Sequence, residues 1–321
     1  MRSPRLWTLP VLLLACSGTP SGPGPGGGPP TGIIYFSYLR APVGDWEVWQ
    51  VHPDGSNLGR VPHPFSSVLF PHVSLSGRWL AYSESGDIFL ADLTNPPGWE
   101  ELPQHDITFV GRRGYPLVSP SGRLVANTYM GPDPALWGVR ISRNDQSGVE
   151  TLLEPLGESV GEQQAIGWFP DEDSLLVREW GRQHKYFIVH TDGSGRREAG
   201  IPGMRDYLRV ALSPTGRFIA LVVPPDAGSD ASAVRALAIH AMATGQLIRK
   251  VNVPDVIYEL AWSPDERFIA YSPHDVEDKF DLVVVELATE VRTTILDVPG
   301  FIDRPVWANA PPDAPPPQLE R

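Results

Sequence analysis

Several groups of residues in this chain have types and spacings that could do chemistry. Gly157-Glu158-Ser159-Val160-Gly161 matches the G-x-S-x-G pattern that presents a nucleophilic serine, and eight histidines could supply metal ligands. Gly22, Gly24 and Gly27 match G-x-G-x-x-G, the pattern of a dinucleotide-binding turn, and Cys16 is the single cysteine of the 321 residues. Each pattern needs a structural context. A nucleophile elbow needs a strand before its serine and a helix after it. Ser159 instead lies in a stretch expected to be a loop, so no catalytic role is expected there. The glycines near residue 24 are interleaved with prolines and follow no strand, which excludes a phosphate-binding turn. The sequence has no P-loop, no H-E-x-x-H, no paired cysteines and no EF-hand loop.

The elements that would have to position such residues come from a repeat. Ile257–Ser272, IYELAWSPDERFIAYS, consists of two short apolar runs separated by Ser263-Pro264-Asp265-Glu266. That pattern predicts a β-hairpin, with proline and aspartate serving the turn. Related blocks occur at Val73–Tyr82, Val118–Ala126 and Leu212–Ala220, with a worn copy at Trp168–Val177. Successive Arg78, Arg123, Asp173, Arg217 and Arg267 are spaced 45, 50, 44 and 50 residues apart. A period of that size indicates a repeat architecture. A further apolar pair follows each block, at Val48-Trp49, Ile88-Phe89, Leu136-Trp137, Tyr186-Phe187, Ala236-Leu237 and Leu282-Val283. Each unit therefore reads as four antiparallel strands, and there are six units.

The first strand is missing before Gly32, where Ile33-Ile34-Tyr35-Phe36-Ser37 already matches the second run of the repeat. Asp303-Arg304-Pro305-Val306-Trp307, at the far end, resembles the missing strand. The expected fold is an all-β, six-bladed propeller over residues 32–309, closed by pairing of the C-terminal strand with the N-terminal blade. Closure removes sheet edges that would otherwise invite aggregation. The Pro-rich tail, 310–321, is expected to be disordered.

The ring also bears on the histidines. His52, His190 and His240 fall at one repeat position, where other blades carry Asp92, Arg140 and Glu286. Symmetry spreads these around the circle, so they cannot converge on one ion. No cofactor and no metal site are expected. Arg78, Arg123, Arg217 and Arg267 read as turn braces, and Trp79, Trp168, Trp262 and Trp307 as inter-blade core.

Residues 1–15 read as a secretory leader, with Arg2 and Arg5 preceding an apolar stretch too short to span a bilayer. Leu13-Leu14-Ala15-Cys16 resembles a bacterial lipobox, which makes Cys16 the expected lipidation site. Residues 16–31 then form a Gly/Pro linker reaching at most roughly 45 Å in polyproline form. With Cys16 acylated, no thiol remains for disulfides. The net charge is −12, and removal of Arg2 and Arg5 makes it more negative still. Nucleic acid is not an expected partner, because phosphate binding needs a basic face.

WSPDERFIAYS, VSPSGRLVA and LSPTGRFIA, with the aromatic third strand and the Asp-Gly-Ser turns, resemble the TolB-type WD-like propeller repeat from residue 32 onward. That resemblance implies a six-bladed propeller of the bacterial envelope that binds partner proteins, among them a peptidoglycan-associated lipoprotein for TolB itself. TolB is soluble and carries an α/β domain before its propeller, where this chain has a linker and an apparent lipid anchor.

The expected function is a lipid-anchored, monomeric binding scaffold for an envelope protein or peptide segment, with no catalysis of its own. It would be tethered to the outer membrane, on the periplasmic side or at the cell surface. The expected partner site is the channel mouth, where the first strands begin: Tyr115, Arg209, Tyr258, Glu259 and Arg304, with Phe70, Ala165 and Asp303 beside them. Loops expected at this end, such as Gln104–Gly114 and Gly200–Tyr207, differ in length and chemistry, whereas the Ser-Pro turns resemble one another from blade to blade. The alternative is a lactonase-like hydrolase holding a divalent cation in the channel, which requires converging carboxylate and carbonyl oxygens.

Overall fold

A computed structural model of the protein describes residues 27–40, 44–94, 99–101, 114–129, 138–144, 151–153, 163–180, 184–202, 204, 209–223, 235–274 and 281–311. Cys16, Ser159 and the Leu136-Trp137 pair lie outside the described residues, as do most of the Gln104–Gly114 loop and residues 205–208. The described residues form six antiparallel four-stranded sheets and include no α-helix.

Blade 1 orders its strands as Gly300–Ala308, Ile33–Arg40, Trp46–Val51 and Gly59–Arg60, so its innermost strand comes from the far end of the chain. Ile33 pairs with Ala308 and Arg40 with Gly300. The innermost strands of blades 2 to 6 are Leu69–Val73, Leu117–Val118, Gln163–Trp168, Val210–Leu212 and Val256–Trp262. Each of the six innermost strands contacts the innermost strand of both neighbouring blades, so the ring is continuous. The protein is therefore a six-bladed β-propeller.

The core lies between the blades, not at the centre. Six clusters of buried apolar side chains each join residues of two adjacent blades, one cluster per seam. A blade is thus covered on both faces. This explains why the second strands read as continuous apolar runs such as Phe268-Ile269-Ala270-Tyr271, all buried, and do not alternate.

The repeated serine has a definite task. Ser74, Ser119, Ser213 and Ser263 are buried, and each Oγ accepts a hydrogen bond from the backbone N–H five residues on, at 3.0, 3.1, 3.1 and 3.0 Å. The side chain closes the turn where the backbone ladder cannot. In the worn copy Phe169 replaces the serine, and Asp171 Oδ1 accepts from Asp173 and Ser174 N–H instead.

Position four of these turns is left-handed in all five copies. Gly77, Gly122 and Gly216 occupy it in blades 2, 3 and 5, with φ of 78°, 83° and 68°. A Cβ at Gly122 would meet the Trp79 ring, which lies in the preceding blade. Glu172 and Glu266 take this position in blades 4 and 6, at φ of 58° and 59°. A left-handed non-glycine residue costs about 1–3 kcal/mol, and both carboxylates make bonds that offset it. Glu172 accepts from the N–H and Oγ of Ser121 and from Arg123 in blade 3. Glu266 accepts from the N–H and Oγ of Thr215 and from Arg217 in blade 5. The same two blade pairs are joined by tryptophans. Trp168 Nε1 donates to Leu117 O and Trp262 Nε1 to Ala211 O, at 2.8 and 3.0 Å. The arginines brace turns, as Arg78–Asp92 and Arg267–Glu286 also show at 2.6 and 3.1 Å.

Burial pushes the carboxyls of Glu172 and Glu266 up, but the hydrogen bonds and the arginine beside each outweigh it and hold both below their ordinary value. Their stabilisation is therefore present above the unfolded-state value of 4.5 and is lost as pH falls through the depressed folded-state value. Glu266→Ala keeps the backbone strain and removes the acceptor. It should destabilise the protein at neutral pH by about 1–3 kcal/mol, the range for losing hydrogen bonds to a charged acceptor. Thermal denaturation should show the gap from wild type narrowing in acid; a constant gap would mean the carboxylate charge contributes nothing.

Candidate functional site

The seams hold the blades, which leaves the ring axis open as a cavity of about 230 Å³. Its wall is made of the innermost strands. Toward the Ser-Pro turns it is apolar, with Leu75, Pro120 and Pro214, and its middle includes Leu117, Ile166, Ala211 and Val306. At the other end stand Phe70, Tyr115, Gln164, Arg178, Arg209, Glu259 and Arg304. The charged lining residues are thus three arginines and one glutamate.

Bulges lie at or beside Phe70, Glu259 and Arg304 of this set. The innermost strand slips register around Phe70-Pro71 in blade 2, Ile166 in blade 4, Tyr258 in blade 6 and Arg304-Pro305 in blade 1. Phe70 and Arg304 adopt left-handed φ of 57° and 51°. A bulge re-aims a side chain at a local cost in pairing, and backbone strain of this kind collects at functional sites.

The sequence-predicted residues come together here. The Arg304 guanidinium lies 4.1 Å from the Tyr115 ring centre and 4.5 Å from that of Phe70, and the two rings are 4.7 Å apart. Glu259 Oε1 is 3.4 Å from Arg209 Nη1 and 3.8 Å from Arg304 Nη2. Arg209 in turn lies 5.2 Å over the Tyr258 ring, and Tyr258 is 40 % exposed. Contacts therefore run from blade 3 through blades 2, 1 and 6 to blade 5. Burial pushes the Asp303 carboxyl above its ordinary range, with Arg304 opposing and Glu259 adding to the shift. Ala165 sits at the same level without a functional group.

Two contributors were not foreseen. Arg178 comes from the second strand of blade 4, is 4 % exposed, donates to Gln164 Oε1 and lies 4.1 Å over the Trp180 ring. Burial lowers its pKa, with Tyr186 and Glu259 opposing, but a guanidinium so treated remains charged at neutral pH. Its sequence signal was Arg178 itself, at a second-strand position where the other blades carry Ser37, Ser83, Thr128, Val222 and Ser272. His72 is the second, in the channel wall of blade 2. Its Nδ1 accepts from Val118 N–H of blade 3 at 3.0 Å, which requires the neutral ring.

The histidines at the repeat position are bonded locally: His52 to Asn57, His190 to Ser174, His240 to Gly245 O. Among the described residues no group of three or more His, Cys, Asp or Glu is placed to hold a metal ion. Glu259 is the one carboxylate of the described channel lining, and it sits between two guanidiniums, a poor donor set for a divalent cation.

No family model matches the sequence, and no curated protein matches it. Solved structures do match the fold. TolB from Acinetobacter baumannii is similar with a TM-score of 0.68 and 18% identity, over 87% of this chain and 67% of that one. A putative TolB from Agrobacterium tumefaciens gives 0.57 and 14%, over 85% and 91%. Oligogalacturonate lyase in complex with manganese gives 0.54 and 12%, over 79% and 71%. At these identities the likeness is one of fold, and the fold is the TolB-type propeller.

Burial drives the His72 pKa down to about 4 from an ordinary 6.5. The unfolded chain therefore binds the proton that the folded chain refuses, and this site costs stability as pH falls from about 6.5 toward 4. Proton NMR should show the His72 ring titrating near pH 4. A midpoint at its ordinary value would contradict the bonded, neutral ring.

Proposed function

We propose that this protein is a lipid-anchored envelope propeller that binds an extended segment of a partner protein at the channel mouth and has no catalysis of its own. The observation that carries this reading is the mouth itself: arginine and aromatic side chains from several blades around an apolar throat. Arginine and tyrosine dominate binding hot spots. The bulges at Phe70 and Arg304 break the pairing of their strands where those side chains enter the mouth.

The course of the chain before the propeller supports the same arrangement. Gly28 O accepts from Arg267 Nη1 and Nη2, both at 3.2 Å, and Thr31 O accepts from Trp307 Nε1 at 2.8 Å. Arg267 follows a Ser-Pro turn, and Trp307 lies at the same end of its strand. Gly28 and Thr31 therefore lie on the turn face, opposite the mouth. A lipid on Cys16 would reach the propeller from that face, which leaves the mouth free for a protein of the envelope. One acyl chain gives marginal membrane binding, so several are expected. A single propeller meets these needs as a monomer.

Cys16→Ser should move the protein from the membrane to the soluble fraction on cell fractionation; retention in the membrane would refute the anchor. Tyr115→Ala with Arg209→Ala, in cells crosslinked before purification, should abolish recovery of the partner that wild type retains. Unchanged recovery by a normally folded double variant would place the binding surface elsewhere.

A further inference from the structure

We propose that the segment taken by the mouth is acidic: a carboxylate side chain of the partner enters between Arg209 and Arg304 and displaces Glu259. This rests on the reading of the mouth as a peptide-binding surface and adds the chemistry of what it selects.

The chain as a whole is acidic, yet the charged residues lining the channel are Arg178, Arg209 and Arg304 against Glu259. A cationic cleft in an acidic protein focuses its field on anions, and its low-dielectric walls strengthen that field. Glu259 answers the cations incompletely. One oxygen spans both guanidiniums at 3.4 and 3.8 Å, well beyond the roughly 2.7–2.9 Å of a close charge-assisted hydrogen bond. The bulge at Tyr258 fixes where Glu259 leaves its strand, and the carboxylate is thereby held as a loose bridge. An incoming carboxylate has no such restraint and can approach in the bidentate geometry that guanidinium favours. Arg304 is prepared for it. Its guanidinium carbon lies 4.1 Å from the Tyr115 ring centre and 4.5 Å from that of Phe70, a cation–π arrangement that holds the cation in place without using its hydrogen-bond donors on another carboxylate.

The size of the cavity argues for a peptide side chain over a whole small molecule. About 230 Å³ is smaller than the roughly 300–1,000 Å³ of pockets that enclose drug-sized ligands. Behind the arginines the lining turns apolar, so the residue next to the acidic one has an apolar surface to meet.

The test is a selection of random heptapeptides displayed on phage against the purified propeller, followed by affinity measurements on the synthesised winner. The winners should be enriched in Asp and Glu over the input library. The chosen peptide should bind about tenfold or more weakly to the Arg209→Ala/Arg304→Ala variant, the loss expected for truncated hot-spot arginines. It should bind severalfold more tightly to Glu259→Gln, because the internal competitor has lost its charge. A gain in affinity cannot come from misfolding, so this variant keeps the test decisive. Unchanged or weaker binding to Glu259→Gln overturns the displacement. Winners without acidic bias that still require both arginines overturn the acidic ligand and leave the mouth reading intact. Absence of any winner, or winners indifferent to the double variant, removes the mouth reading and this inference with it. Trigalacturonate, added as competitor, should not displace the peptide; displacement at comparable affinity would assign the arginines to a sugar acid.

Discussion

Each blade is a sheet that buries both faces, and it can do so only while a neighbour stands on each side. That requirement governs the rest of the structure. It puts the apolar clusters in the seams, and it makes the strand Gly300–Ala308 as necessary as any contiguous part of a blade. Without it, blade 1 would lack its innermost strand, and the seams to blades 2 and 6 would lose Ile302, Trp307 and Ala308. It also explains the strained glutamates. Glu172 and Glu266 accept left-handed backbone because a carboxylate there reaches the turn of the preceding blade, which glycine cannot do. Burying the core in seams has a further effect: the axis is relieved of packing duties, and its end can be lined by side chains that would be costly in a core.

The fold was legible because a propeller repeats. The recurring Ser-Pro turns and the spacing of the arginines reported one hairpin several times over, and the stray strand at Asp303–Trp307 reported the closure. Equivalent positions on the innermost strands could be aligned by counting, so Tyr115, Arg209, Glu259 and Arg304 were foreseen together at one mouth. Arg178 was not, because it comes from a second strand, where the repeat predicts buried apolar residues. At the channel its guanidinium donates to Gln164 of the neighbouring innermost strand. Bulges leave little trace in a single sequence; Phe70-Pro71 and Arg304-Pro305 carry an X-Pro pair, but the slips at Ile166 and Tyr258 have no such sign. The bonds of Glu172 and Glu266 were equally hidden. Each joins turns about fifty residues apart that only the rotation from blade to blade brings together.

The two ends of the ring are chemically unlike. The Ser-Pro turns repeat one hydrogen-bonding scheme and carry the linker at Gly28 and Thr31. The opposite end varies from blade to blade and gathers guanidinium, aromatic rings and the loosely held carboxylate of Glu259. A surface that serves folding should be uniform under the symmetry of the repeat, whereas a surface that recognises something has to break it. This asymmetry is the basis for assigning the mouth to binding.

The most direct test of that assignment is site-specific photocrosslinking in cells, with p-benzoylphenylalanine placed at Tyr258 of the mouth or at Thr215 of the Ser-Pro face. The account predicts a discrete crosslinked partner from position 258 and none from position 215. A partner captured from position 215 alone would contradict it.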